Sequence, residues 1–239
     1  MALKISNFNI VQGGFHLTAS LPSLEAGIYA VIGPSGAGKS SLLAALGGFM
    51  PLQSGAISWM GRDITFLAPD KRPMAMLFQD NNLFPHLSAA RNIALALTSR
   101  AKLSTGQAEQ VEAALKRVGL AGSGAKKPAQ LSGGEQSRVA LARVLLQDKP
   151  VLLVDEPFSA LGPALKVEML DLLADLARER GSLVMMVTHD PADALRIAEK
   201  TIVVAEGTAH PPEQTQGLLQ NPPPALAAYL GTALNSTQN

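Results

Sequence analysis

The chain predicts an α/β fold: a parallel sheet flanked by helices, entered through a β-rich segment and interrupted by an inserted helical subdomain. Three observations carry this. Short apolar runs recur at Tyr29–Ile32, Met74–Phe78, Val151–Val154 and Leu183–Val187, as buried parallel strands require. Between the second and the third, residues 83–147 change to a helical texture. A glycine-rich stretch, Gly33–Ser40, separates the first run from Ser41–Leu46, which can propagate a helix.

In chain order, Leu3–Ile10 and Phe15–Leu21 read as strands punctuated by Pro22 and Gly27. The glycine stretch and its helix end near Gly47–Gly48, and Gly55–Trp59 reads as another strand. In the helical region Asn92–Leu97 is rich in alanine and leucine. Val111, Ala114, Leu115 and Val118 give Gln107–Val118 a helical period. Breaks fall at Lys102–Gly106 and at Gly119–Gln130, whose Lys126-Lys127 pair reads as a solvated loop. Pro163 marks a helix start. Leu165, Met169, Leu172, Leu173 and Leu176 then form a core-facing stripe, and Thr201–Val204 closes the sheet. Residues 1–230 read as a single domain, with 1–82 and 148–230 as core and 83–147 as the insertion. A polar, frayed tail is expected over 231–239.

Composition narrows the function. At 239 residues the chain is long for one domain and short for two. Its 47% hydrophobic content supplies a sizeable core. A net charge of +1 excludes a general attraction to nucleic acid or acidic lipid. Without cysteine there are no disulfides or thiolate sites, which fits a cytosolic protein. Met1–Ile5 lacks a signal peptide's apolar segment, and no stretch approaches the ~18 apolar residues of a membrane span. A soluble protein is expected, so any membrane role must come through a partner.

Chemistry collects at the C-terminal ends of the apolar runs, which lie on one edge of a parallel sheet. Gly33, Gly36 and Gly38 permit the close backbone approach of a phosphate-binding loop. Successive N–H groups from Gly36 to Ser40 can wrap a phosphate, with a helix N-terminus behind them. The pattern Gly33-Pro34-Ser35-Gly36-Ala37-Gly38-Lys39-Ser40, followed by Ser41, is complete. Lys39 would place its charge on the β- and γ-phosphates, and the Ser40 hydroxyl would ligate Mg²⁺. Asp155, after the third run, is expected to hold the same Mg²⁺ directly or through water, and Glu156 to activate the attacking water. His189 can donate to the γ-phosphate, and Gln79 follows Met74–Phe78. Taken alone, an Asp-Glu pair is a capped turn and a lone histidine or glutamine is structural; the shared edge joins them into one site.

Leu131-Ser132-Gly133-Gly134-Glu135-Gln136, ahead of a helix expected over Ser137–Leu146, forms a second anion-binding helix start. By itself it is a plain cap. One small domain rarely needs two phosphate cradles, so this one is assigned to the nucleotide of another copy.

Together these motifs resemble the ATP-binding-cassette (ABC) ATPases across residues 1–230. Gly33–Ser40 matches their Walker A loop, Gln79 the Q-loop glutamine and Leu131–Gln136 the signature motif. Val151–Glu156 matches Walker B with the catalytic glutamate, and His189 the switch histidine. The resemblance implies a P-loop NTPase (RecA-like) core, the ABC ATPase fold, with ATP and Mg²⁺ as ligands. It also implies Gln79 as a further Mg²⁺ ligand beside Ser40 and Asp155, and catalytic roles for Glu156, His189 and Gln79. In that family two cassettes pack head to tail, each ATP lying between one Walker A and the other copy's signature. Within the family, Met76–Phe84 is similar to the ATPases of bacterial thiamine importers.

The resemblance thus implies a homodimer on the cytoplasmic face of the bacterial inner membrane, beneath integral membrane permease subunits. A periplasmic solute-binding protein would act indirectly, and no nucleic acid is expected. Phe84-Pro85-His86-Leu87 would help form the groove that receives a permease helix. Two positions depart from the family pattern. Gly162 stands where Ser159-Ala160-Leu161 should be followed by aspartate, and the adenine-stacking aromatic falls to Phe15 or Phe8. A sister importer of iron or polyamine is the alternative. A soluble cassette acting on DNA or ribosomes would carry two cassettes or a long coiled coil, and a P-loop kinase leaves the signature unexplained.

Overall fold

The computed structural model describes residues 2–159 and 161–236. The chain enters through a hairpin, β1 (Leu3–Gln12) and β2 (Phe15–Leu24), and then β3 (Gly27–Ile32). Leu3 and Ile5 point into the core from β1, as do Phe8 and Ile10. The change of parity falls at Asn7, where the register shifts and φ is 47°. An extra residue at such a bulge moves the apolar set back to the inner face.

Helix α1 (Lys39–Gly47) follows, then β4 (Ser54–Trp59), β5 (Arg62–Asp63) and β6 (Met74–Leu77). Three helices come next: α2 (Ala89–Ala94), α3 (Thr105–Arg117) and α4 (Gly133–Leu146). Strand and helix then alternate through β7 (Val151–Asp155), α5 (Pro163–Arg180), β8 (Leu183–Val187), α6 (Pro191–Ile197) and β9 (Lys200–Ala205). The chain ends with β10 (Thr208–Ala209), β11 (Glu213–Gln214), α7 (Thr215–Gln220) and α8 (Pro224–Ser236). Helix α8 continues past Gly231, where a polar tail was expected; 237–239 lie outside the described residues.

One curled sheet orders the strands β5-β4-β1-β2-β10-β9-β3-β8-β7-β6, with β11 paired to β9. The run β9-β3-β8-β7-β6 is parallel throughout, so its C-terminal ends share one edge. Alternate residues of these strands face two cores. Tyr29, Val31, Leu183, Met185 and Val187 pack with α1, while Ala30, Ile32, Val184 and Met186 pack with α5 and α6. The helices α2, α3 and α4 enclose a smaller third cluster around Ile93, Val111, Leu115 and Val139. Both faces of the parallel strands are therefore covered, which is why each reads as a continuous apolar run.

Candidate functional site

The loop after β3 is shaped by contacts that only its own residues permit. Gly33 has φ 151°, and a Cβ there would lie 1.9 Å from the carbonyl oxygen of Val204 on β9. No side chain fits that approach. The chain then turns at Pro34–Gly38 and enters α1 directly at Lys39. Ser35 and Gly36 are exposed at the tip, and Ala37 N–H bonds to Pro34 O at 3.2 Å. Lys39 is buried and donates to the carbonyls of Gly33 and Pro34 at 2.8 and 2.9 Å, spanning the loop. Burial lowers its pKa, and Glu156 and Asp155 oppose that shift.

Asp155 ends β7 beside this loop and accepts a 3.0 Å hydrogen bond from Ser40 Oγ. Burial is the main cause that raises its carboxyl above the usual range; the Ser40 bond opposes this. A buried carboxylate next to a hydroxyl is a hard oxygen donor set that could hold a divalent cation such as Mg²⁺. The next residue, Glu156, adopts φ 43°, with its N–H bonded to Val187 O at 3.2 Å. Its Oε2 lies 3.2 Å from His189 Nδ1 at the end of the neighbouring strand. Gln79 stands on the same edge past β6, exposed. Among the described residues it has no hydrogen bond to Ser40 or Asp155.

The stretch 131–136 is organised as a helix start. Ser132 caps α4, accepting from Glu135 N–H at 3.3 Å while Glu135 Oε2 accepts from Ser132 N–H at 2.8 Å. These bonds hold the Glu135 carboxyl below its usual range. Helix α4 thus begins at Gly133, four residues before the expected Ser137. The reciprocal cap outweighs the poor helix propensity of the two glycines. Gln136 donates back to the carbonyls of Pro128 and Leu131. Lys126, read as solvated, lies 3.5 Å from Glu135. No hydrogen bond joins 131–136 to the Gly33–Ser41 stretch among the described residues.

Of the two aromatic candidates, Phe8 is 1% exposed in the core and cannot stack on a ligand. Phe15 is half-buried at the start of β2, and a Cβ on Gly38 would come within 2.5 Å of its ring. Phe15 therefore lies against the glycine-rich loop itself.

Four residues that sequence reasoning missed also shape the region. Arg72 is buried and donates to the carbonyls of Ala45, Leu46, Leu67 and Thr65, closing the C-terminus of α1. Arg143, on α4, donates at 2.7 Å to the carbonyls of both Asn81 and Asn82, which have φ of 58° and 45°. Buried Asn92 bonds Phe84 through both its N–H and its carbonyl, and reaches the carbonyls of Leu87 and Ser88. Tyr229 Oη, on α8, donates to the His189 carbonyl at 2.7 Å. A cavity of ≈ 550 Å³ opens beside these turns, lined by Phe49, Met76, Phe78, Leu83, Phe84 and Arg143.

The fold and this site define an ATP-binding-cassette ATPase with a P-loop NTPase core: the chain belongs to the ABC transporter family, whose model matches residues 19–159. The chain is similar to two proteins named "Thiamine import ATP-binding protein ThiQ". That of Ruegeria sp. is 53% identical over 96% of this chain and 99% of its own length. That of Cereibacter sphaeroides is 52% identical over the same shares. Among solved structures it is similar to a dimeric ATP-binding cassette in a post-hydrolysis state bound to ADP and phosphate. That likeness has TM-score 0.76 and 28% identity, covering 89% of this chain and 98% of the other. Among the described residues no helix is long and apolar enough to cross a membrane.

Proposed function

We propose that this chain is the ATP-hydrolysing subunit of a bacterial importer of thiamine or its phosphates. It works as a homodimer beneath two permease subunits, on the cytoplasmic face of the inner membrane, while a periplasmic solute-binding protein delivers the cargo. The 53% identity to a thiamine import ATP-binding protein over nearly both whole lengths carries this reading.

Residues 1–82 and 148–230 act as the nucleotide-binding core. The N–H groups of Gly36–Ser40 cradle the phosphates of ATP, and Lys39 exchanges its carbonyl partners for β- and γ-oxygens. Ser40 and Asp155, with Gln79, hold Mg²⁺, which neutralises charge on the phosphates. The 3.0 Å contact between Ser40 and Asp155 supports that assignment. Glu156 takes a proton from the water that attacks the γ-phosphorus as the bond to ADP breaks. His189 donates from Nε2 to the γ-phosphate while its Nδ1 is oriented by Glu156.

Residues 83–147 act as the signature-bearing part. Ser132, Gly133 and Gly134 present the N-terminus of α4 to the partner copy's ATP, so that nucleotide closes the dimer and hydrolysis reopens it. The groove beside Phe84, lined by both aromatic and polar side chains, takes a permease helix, with Asn92 and Arg143 fixing its wall. Deleting the gene in a strain that cannot make thiamine should sharply raise the thiamine needed for growth, and the subunit should co-purify with a permease. Unchanged thiamine uptake, with iron or polyamine uptake lost instead, would move the protein to a sister importer.

A further inference from the structure

Both residues that flank His189 belong to a partly buried polar cluster that the chemistry above does not use. Lys166 lies on the first turn of α5, its N–H bonded to Gly162 O at 2.9 Å. Its side chain is 16% exposed, and its Nζ lies 2.7 Å from Asp190 Oδ2 and 2.7 Å from Asp193 Oδ1. Thr188 Oγ1 donates to Asp193 Oδ2 at 2.6 Å and accepts from Asp190 N–H at 3.1 Å. Thr188 N–H is bonded to Val31 O on β3. The loop on both sides of His189 is thus fixed to α5 and to the sheet.

An ion cluster that is only partly buried, with the Asp190 side chain 39% exposed, adds little net stability, so this arrangement is better explained by the geometry it imposes. That geometry returns to the catalytic pair. From Glu156 the chain runs through a turn, in which Ser159 N–H and Oγ both bond to Glu156 O, to Gly162 and Lys166. Lys166 holds Asp190, and His189 closes the ring on Glu156 at 3.2 Å. The same turn of α5 touches the signature motif: a Cβ on Gly134 would lie 2.1 Å from Leu165 Cδ2.

We propose that Lys166 is a positioning residue for ATP hydrolysis: by holding Thr188–Asp190 against the first turn of α5, it sets the His189 imidazole against Glu156. The proposal rests on the roles given above to Glu156 and His189, and Lys166 itself touches no reacting atom. Misplacing a catalytic group by about 1 Å can cost on the order of 10²-fold in rate. Lys166→Met should therefore lower kcat at least about tenfold while the Kd for ATP, measured with a metal chelator, stays within about twofold. Asp190→Asn, which keeps the Lys166–Asp193 pair and so guards against misfolding, should lower kcat in the same direction. A folded Lys166 or Asp190 variant with wild-type kcat would overturn the proposal, as would a loss of kcat matched by loss of ATP affinity. Glu156→Gln, run alongside, separates the two readings: near-normal turnover there would sink the site assignment and this proposal with it.

Discussion

His189 Nδ1 meets Glu156 Oε2 at 3.2 Å because Glu156 leaves β7 in the left-handed region, at φ 43°. A glutamate held there costs on the order of 1–3 kcal/mol. The bond from Glu156 N–H to Val187 O fixes the turn against β8, the strand that delivers His189. Strain, strand pairing and the Glu156–His189 contact are consequences of one backbone step.

Replacing Glu156 with glutamine keeps the size and the turn but removes the proposed base. Hydrolysis should fall by roughly 10²–10⁴-fold. ATP affinity should persist, since Lys39, Ser40 and Asp155 are untouched. Steady-state turnover and equilibrium ATP binding test the two halves separately, and near-normal turnover would remove Glu156 from its role.

The signature motif makes a contrasting prediction. If 132–134 serve the partner's ATP, Ser132→Arg should leave ATP affinity at dilute protein within about twofold of normal. Dimer closure and hydrolysis should be lost, because a bulky cation stands where the other γ-phosphate must approach. ATP binding lost together with hydrolysis would mean that the motif acts within its own chain.

Arg72 offers a test of stability alone. Its guanidinium reaches four carbonyls, two of them at the end of the helix behind the phosphate loop. Charged hydrogen bonds contribute about 1.5–3 kcal/mol each, and their orphaned carbonyls add a penalty. Arg72→Ala should destabilise the fold by about 3 kcal/mol or more, a fall of roughly 6–12 °C in Tm. Arg72→Lys cannot reproduce the planar fork and should recover only part of this. Calorimetry on the three proteins decides it.

What was legible in the sequence was local. The phosphate loop, the strand ends and the cap at Ser132 are contiguous patterns whose physics operates over a few residues. Arg72, Lys166 and Arg143 each look like a solvated charge, and only the tertiary fold buries the first and partly covers the other two. Arg72 reaches back 27 residues to Ala45, Lys166 forward 24 to Asp190 and Arg143 back 62 to Asn81. Helix α8 was hidden for a similar reason: its proline-led start and small residues give little propensity signal, yet Leu226 is fully buried in the core. Gly162 shows a different limit. It caps α5 at φ −63°, with open space around it, so the backbone would accept an aspartate there. Nothing in the structure explains why glycine replaces the family's usual residue.

Phe15 and Phe8 were indistinguishable in sequence, since each is an aromatic on an alternating strand upstream of the loop. Packing separates them: Phe8 is sealed in the core, while the Phe15 ring lies against Gly38. A ring in that place can take the adenine face as the phosphates enter the loop. Base–aromatic stacking is worth about 1–3 kcal/mol by alanine substitution, so Phe15→Ala should raise the Kd for ATP roughly 5- to 150-fold. Phe15→Trp should keep the affinity. Tripolyphosphate, which has no base, supplies the control, because its binding should be the same in all three proteins. If the alanine variant loses tripolyphosphate and ATP equally, the Phe15 ring is supporting the loop at Gly38 and not the base. Phe8→Ala should behave differently from both, destabilising the fold by about 3–5 kcal/mol through a core cavity, and so lowering Tm, while the folded protein keeps its ATP affinity.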